Sequence, residues 1–90
     1  MIDLRELQKS ILSNKMEKSG VQSIEHEFCC TCGKLNEALE VFLKEDGHIG
    51  EELADVAIYL MGIAELCNID LESEIIRKVE INLGREYTQI

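Results

Sequence analysis

Two acidic residues in the second half of the chain have the types and spacing that could support chemistry. Glu52 and Asp55 are three residues apart, so on a helix they would be neighbours on one face. Such a pair is half of a site for a hard cation that prefers oxygen ligands, such as Mg²⁺. The alternative interpretation, which spacing alone favours, is a solvated acidic surface at a helix N-terminus, where the helix dipole favours carboxylates.

A cluster of soft ligands precedes this pair in the sequence. Cys29, Cys30 and Cys32 follow His26, and such residues at short spacing can bind zinc. On a helix, however, Cys30 points away from the face that Cys29 and Cys32 share. We therefore expect no zinc site, and we expect Cys32 and Cys67 to be small core residues.

The elements that must position these residues are predicted to be helices. The chain has no proline, and its apolar residues recur at intervals of three and four, which indicates helices. Ser19 and Gly20 are expected to end the first helix, and Asp70 to cap the start of the fourth. The fold class expected is an all-α four-helix bundle in one domain, residues 1–90. The four helices are predicted over residues 3–17, 23–44, 49–67 and 71–87.

Apolar stripes on the second and third helices predict how the chain assembles. The stripe of the second helix comprises Ile24, Phe28, Cys32, Leu35, Leu39, Phe42 and Leu43. The stripe of the third helix comprises Ile49, Leu53, Val56, Ala57, Leu60, Ala64 and Cys67. The third helix carries a further apolar set on its far flank, Ala54, Ile58 and Met61. A helix that is apolar on most sides is buried on most sides, and four short helices cannot surround it. We therefore expect a homodimer or homotetramer.

Composition limits the classes of partner. The formal net charge is −9, which disfavours binding to nucleic acid or to anionic membranes because both require basic surfaces. The N-terminal segment lacks the basic and apolar regions of a signal peptide, so the expected location is the cytoplasm, where thiols stay reduced. A domain of 90 residues buries only roughly 60–65% of its unfolded surface, so a partner subunit would help to stabilise it.

Two segments carry a family resemblance. Residues 50–60 (Gly-Glu-Glu-Leu-Ala-Asp-Val-Ala-Ile-Tyr-Leu) resemble the third helix of the MazG-like all-alpha nucleotide pyrophosphohydrolases. Residues 78–87 fit the Lys-x-x-x-Asn-x-x-Arg-x-Tyr pattern of the last helix of that family. The resemblance covers about residues 24–87. It implies an oligomeric enzyme that hydrolyses nucleoside triphosphates to monophosphate and pyrophosphate with Mg²⁺, each active site combining helices of two subunits.

The resemblance assigns roles to particular residues. It implies that Glu52 and Asp55 are metal ligands and that Lys78, Asn82 and Arg85 lie near the substrate. The last three share a helical face at i, i+4 and i+7, and Lys and Arg suit phosphate oxygens. The alternative for these three is a solvated polar face.

The second helix departs from the family pattern, which reads roughly Glu-x-Gly-Glu-Leu-x-Glu-Ala. Residues 31–38 match it except at the two metal positions, which fall on Thr31 and Lys34. A rival alignment would use Glu37 and Glu40. Thr31 and Lys34 have nearly the same angular offset from their apolar stripe as Glu52 and Asp55 have from theirs. Glu37 lies almost opposite the stripe and Glu40 on the other flank, so we prefer the first alignment.

The altered positions predict a weak or inactive pyrophosphohydrolase. Two carboxylates bind Mg²⁺ less well than four, and the ammonium of Lys34 would occupy the place of a cation. Lys34 could pair with Glu52 or Asp55, or contact a nucleotide phosphate. Glu37 fits the family pattern and is the candidate catalytic carboxylate. The alternative function is a non-catalytic nucleotide-binding protein or a helical scaffold that keeps only the oligomer.

Overall fold

The computed structural model describes residues 2–45 and 47–85, and within this part the chain forms helices and no strands. The all-α prediction is therefore confirmed. All four predicted helices are present, each beginning within one residue of its expected start. The fourth helix ends at Leu83, before the end predicted at residue 87, because the chain leaves the helix at Gly84; residue 87 itself lies outside the described residues. The helices are α1 (Leu4–Lys18), α2 (Ile24–Lys44), α3 (Ile49–Leu66) and α4 (Leu71–Leu83).

Local sequence signals account for the helix boundaries. The side chain of Asp70 accepts a hydrogen bond from the backbone N–H of Ser73 at 3.2 Å, as expected for an N-cap. Ser23 caps α2 in the same way through the N–H of His26. Gly20 follows α1 with a φ of 75°, a left-handed conformation that glycine adopts at little cost. The predicted cap at Asp70 and the predicted stop at Ser19 and Gly20 are thus confirmed.

The helices form an open arrangement. α2 and α3 make the most extensive helix pair, α1 packs against α3, and α4 contacts chiefly α1. α4 has no buried residue, and its apolar side chains Ile76, Val79 and Leu83 are at least half exposed. The radius of gyration is 15.3 Å, whereas a compact domain of this length has about 12 Å.

The sides of α2 and α3 that face the interior differ from those suggested by the apolar stripes. We call these sides the inward faces, and they are formed by Ile24, Glu27, Thr31, Lys34, Ala38 and Val41 on α2 and by Glu52, Asp55, Tyr59 and Ile63 on α3. All ten of these residues are buried or half-buried. At about 100° per residue, each inward face lies roughly a quarter turn from the apolar stripe of its helix.

As a result, much of the predicted apolar stripe is exposed in the single chain. Seven large side chains of the two stripes form what we call the α2–α3 apolar face: Phe28, Leu35, Leu39, Phe42, Ile49, Leu53 and Leu60, all between 37% and 64% exposed. Side chains from both helices meet there around a groove between Leu39 and Leu53. α1 contacts α3 through the side of Ile58 and Gly62, about 140–180° from Leu53 and Leu60, so α1 does not cover this face.

One residue-level prediction is therefore wrong. Cys32 and Cys67 are exposed rather than in the core, because the stripe on which they lie points away from the chain's own interior. The far-flank set on α3 is not fully covered within the single chain: Ile58 is 43% exposed and borders a cavity between α1 and α3. Among the residues that the structure describes, the buried apolar core is small and consists of Ala38, Ile63 and Ala64.

Gln8 of α1 joins the α3–α4 turn to the rest of the chain. Its side chain is fully buried, and its Nε2 donates to Glu65 Oε1 at 2.9 Å and to the carbonyl oxygen of Ile69 at 2.6 Å. Its Oε1 accepts from the backbone N–H of Leu71 at 3.2 Å. These bonds satisfy backbone groups at the turn that would otherwise be unpaired. Arg5 adds a hydrogen bond to the same Ile69 carbonyl at 3.0 Å.

Replacing Gln8 by Leu should lower the free energy of unfolding by about 1–3 kcal/mol, because the Leu71 N–H and the Ile69 carbonyl lose a buried partner. Urea denaturation at fixed protein concentration measures this change. Gln22→Leu is the matched control, because Gln22 is exposed, and it should change stability by less than about 0.5 kcal/mol. Equal effects of the two substitutions would contradict a role for Gln8 in holding the turn.

In the described part of the chain, no helix combines the length and the apolar character that a membrane span requires.

Candidate functional site

Thr31 and Lys34 lie on the inward face of α2, toward α3. Both are half-buried, and the Thr31 hydroxyl donates to the carbonyl oxygen of Glu27 at 2.8 Å. Glu37 and Glu40, the carboxylates of the rival alignment, are both exposed. The α2 side chains nearest to α3 at these positions are thus a hydroxyl and an ammonium group.

The charge of Lys34 is the main electrostatic feature of this region. Its Nζ lies 3.5 Å from Glu37 Oε2. This carboxylate is the largest cause of the raised pKa of Lys34, while Tyr59 and Asp55 raise it further and burial opposes them. The ammonium therefore stays protonated at neutral pH. Its ion-pair partner is Glu37 and not Glu52 or Asp55, because Glu37 is one turn away on the same helix.

Glu52 and Asp55 occupy the inward face of α3. Both are half-buried, and neither forms an ion pair within residues 2–45 and 47–85. Across the described chain, no three His, Cys, Asp or Glu side chains converge as metal ligands. Asp55 lies near enough to Lys34 to raise the pKa of its ammonium, at a position where the family resemblance implies a further carboxylate. This donor set does not fit the Mg²⁺ centre that the resemblance implies.

Lys78, Asn82 and Arg85 are not brought to this region within one chain. All three are exposed, and α4 contacts chiefly α1 rather than α2 or α3. Among the described residues, their side chains make no hydrogen bond to α2 or α3. If these three side chains act with Glu52 and Asp55, a second copy of the chain must supply them.

Sequence reasoning missed a buried ion pair that adjoins the candidate site. Glu27 is only 4% exposed and pairs with Lys15 of α1. The Lys15 ammonium also lies 4.0 Å from the centroid of the Tyr59 ring, a distance that allows a cation–π interaction. Glu27 precedes Thr31 by four residues, so helical periodicity predicts that the two side chains share one face of α2. The sequence pattern does not predict that the partner of Glu27 is Lys15 on α1.

The polar residues of the inward faces extend toward α1, where Lys15 contacts Glu27 and Tyr59. Along α3, Glu52, Asp55 and Tyr59 follow i, i+3 and i+7, so their side chains share one side of the helix. Tyr59 raises the pKa of Lys34, and its ring centroid lies 4.0 Å from the Lys15 ammonium. The arrangement places two carboxylates, one ammonium and one phenol between packed helices, a set that can bind a polar anion through the ammonium or a cation weakly through the carboxylates.

Comparison of the chain with protein-family models, with curated proteins and with solved structures gives no match.

Proposed function

We propose that the chain is a divergent relative of the MazG-like pyrophosphohydrolases that binds nucleoside triphosphates as a cytoplasmic homo-oligomer and hydrolyses them slowly or not at all. The observation that carries this proposal is the position of Lys34 on the inward face of α2, where Asp55 and Tyr59 are among the groups that raise the pKa of its ammonium. A fixed ammonium can neutralise a phosphate oxygen without a metal ion. It does not activate water as a bound metal ion does.

Oligomerisation is supported by the amount of exposed surface. The accessible surface of the chain is 7026 Å², whereas a folded monomer of 10.2 kDa exposes about 5,300 Å². The difference of about 1,700 Å² is close to what one subunit buries in an obligate dimer. In the proposal, the α2–α3 apolar face meets the same face of a second copy, and Lys78, Asn82 and Arg85 of a partner approach the Lys34 region.

Nucleotide affinity with and without Mg²⁺ tests this function. We expect wild-type protein to bind a nucleoside triphosphate with an affinity that Mg²⁺ changes less than about threefold, and Lys34→Met to weaken binding about tenfold, the effect of losing one charged hydrogen bond. Isothermal titration calorimetry over a panel of nucleotides measures both. Lys44→Met, which alters an exposed cation at the end of α2, is the control. Binding that requires Mg²⁺, or that Lys34→Met leaves unchanged, would contradict the proposal.

A helical scaffold is the second candidate function. The exposed α2–α3 apolar face favours it, since this surface supports assembly whether or not a nucleotide binds. A stable oligomer that binds no nucleotide in the same titrations would establish the scaffold and exclude the nucleotide-binding function.

A further inference from the structure

A second concave region lies between α1 and α3, on the side of α3 away from the α2–α3 apolar face. It encloses about 310 Å³, which is at the lower end of the range for small-molecule sites. Its floor is apolar and is formed by Ile11, Ile58 and Gly62, and its rim carries the polar side chains of Asn14, Lys18 and Ser19. The combination of an apolar floor with a few polar groups is typical of ligand pockets.

The floor of the cavity is closely packed at Gly62. A Cβ atom added at this glycine would lie 4.0 Å from Ile11 Cγ2, an ordinary van der Waals contact, so Ile11 packs against Gly62 and the two residues form one apolar wall of the cavity. The ring of Tyr59 also borders the cavity, and its centroid lies 4.0 Å from the Lys15 ammonium. An aromatic ring or a short aliphatic body would therefore contact apolar atoms on several sides.

The rim carries one uncompensated positive charge. The charge of Lys15 is neutralised by buried Glu27. Lys18 lines the same cavity and belongs to no ion pair in the described residues. The amide of Asn14 and the hydroxyl of Ser19 add hydrogen-bond donors beside it. A ligand with a single negative charge would match this rim.

We propose that the α1–α3 cavity binds a small monocarboxylic acid with a flat apolar body, whose carboxylate meets Lys18 and whose body rests on Ile11, Ile58 and Gly62. This site adjoins the Lys34 region at Tyr59 but does not include Lys34, Glu52 or Asp55, and it does not depend on nucleotide binding. The protein as a whole has a net charge of −9 and therefore repels anions. Binding of a carboxylate in this cavity would depend on the local match with Lys18 and the apolar lining.

Benzoate and its neutral analogue benzyl alcohol test the proposal by amide chemical-shift titration of the full-length protein. We expect benzoate to shift amides of residues 11–19 and 58–62 and to bind at least about fivefold more tightly than benzyl alcohol, a difference equivalent to one exposed charge pair. Lys18→Met should remove this preference, whereas Lys9→Met, which alters another exposed lysine of α1, should leave it intact.

Filling the cavity provides the second arm of the experiment. Ile58→Phe reduces the space in the cavity from a residue that is 43% exposed, so it should weaken the binding of both compounds while the protein keeps its wild-type circular dichroism. Equal affinities of benzoate and benzyl alcohol, or shifts that map outside the cavity, would overturn the proposal.

Discussion

Replacing Leu39 by Glu is expected to dissociate the proposed oligomer and to unfold much of the protein at micromolar concentration. Leu39 is 52% exposed in the single chain, and with Phe42, Ile49 and Leu53 it lines the groove in the α2–α3 apolar face. A carboxylate buried between two copies of this face has no cationic partner there, which costs several kcal/mol for each charge. A symmetric dimer contains the substitution twice.

The stability effect follows from the small core of the single chain. With Ala38, Ile63 and Ala64 as its buried apolar residues, the described part of one chain gains little from its own packing, so we expect assembly and folding to be linked. Light scattering with size-exclusion chromatography gives the mass, and urea denaturation at several protein concentrations gives the linkage. We expect the midpoint of wild type, but not of Leu39→Glu, to rise with protein concentration.

Met16→Glu is the matched control for this experiment. Met16 is 56% exposed but lies on α1, outside the α2–α3 apolar face, so its replacement should leave the mass unchanged. A wild-type mass near 10 kDa would refute the oligomer itself. Dissociation by Ile58→Lys, with no effect of Leu39→Glu, would instead place the interface on the far flank of α3, where the sequence predicted it.

Introducing the two carboxylates of the MazG-like pattern, to which the proposal relates this chain, should give the largest gain in function. In the combined variant Thr31→Glu with Lys34→Glu, two carboxylates would face Glu52 and Asp55 across the inward faces of α2 and α3. Four such groups attract Mg²⁺ and neutralise substrate charge through the ion. We expect pyrophosphate release from nucleoside triphosphates to rise by about 10²–10³, the typical effect of one well-placed electrostatic group.

Metal binding by this variant can be measured independently of turnover. Without a metal ion the four carboxylates repel one another, so the variant should be less stable than wild type. Mg²⁺ should then raise its melting temperature in a concentration-dependent manner, while wild type responds little. The lost ion pair of Lys34 with Glu37 is a minor factor, because an exposed pair at this spacing contributes less than about 1 kcal/mol.

Glu37→Gln is the control for the alignment on which this prediction depends. The Glu37 side chain is 55% exposed, so we expect its replacement to alter pyrophosphate release less than about threefold in the combined variant, far below the effect of one catalytic electrostatic group. Rapid hydrolysis by wild type that Glu37→Gln abolishes would show that the rival alignment is correct and that Glu37 belongs to the site with Glu52 and Asp55.

The sequence by itself determined the local structure. The helix starts and stops at Asp70, Ser19 and Gly20 follow from hydrogen bonds and backbone conformations within a few residues, so they could be predicted without knowledge of the rest of the chain. The same holds for the shared faces of Thr31 with Lys34 and of Glu52 with Asp55, because helical periodicity alone places residues three apart side by side.

Only the tertiary structure decided which faces meet. Periodicity locates an apolar stripe but does not specify whether the same chain or a second copy covers it, and here the inward faces of α2 and α3 carry Lys34 and Asp55 while the stripes remain exposed. The contacts of Gln8 with the α3–α4 turn and of Lys15 with Glu27 likewise join separate helices. Such pairings depend on how the helices pack in three dimensions, which no spacing within one helix encodes.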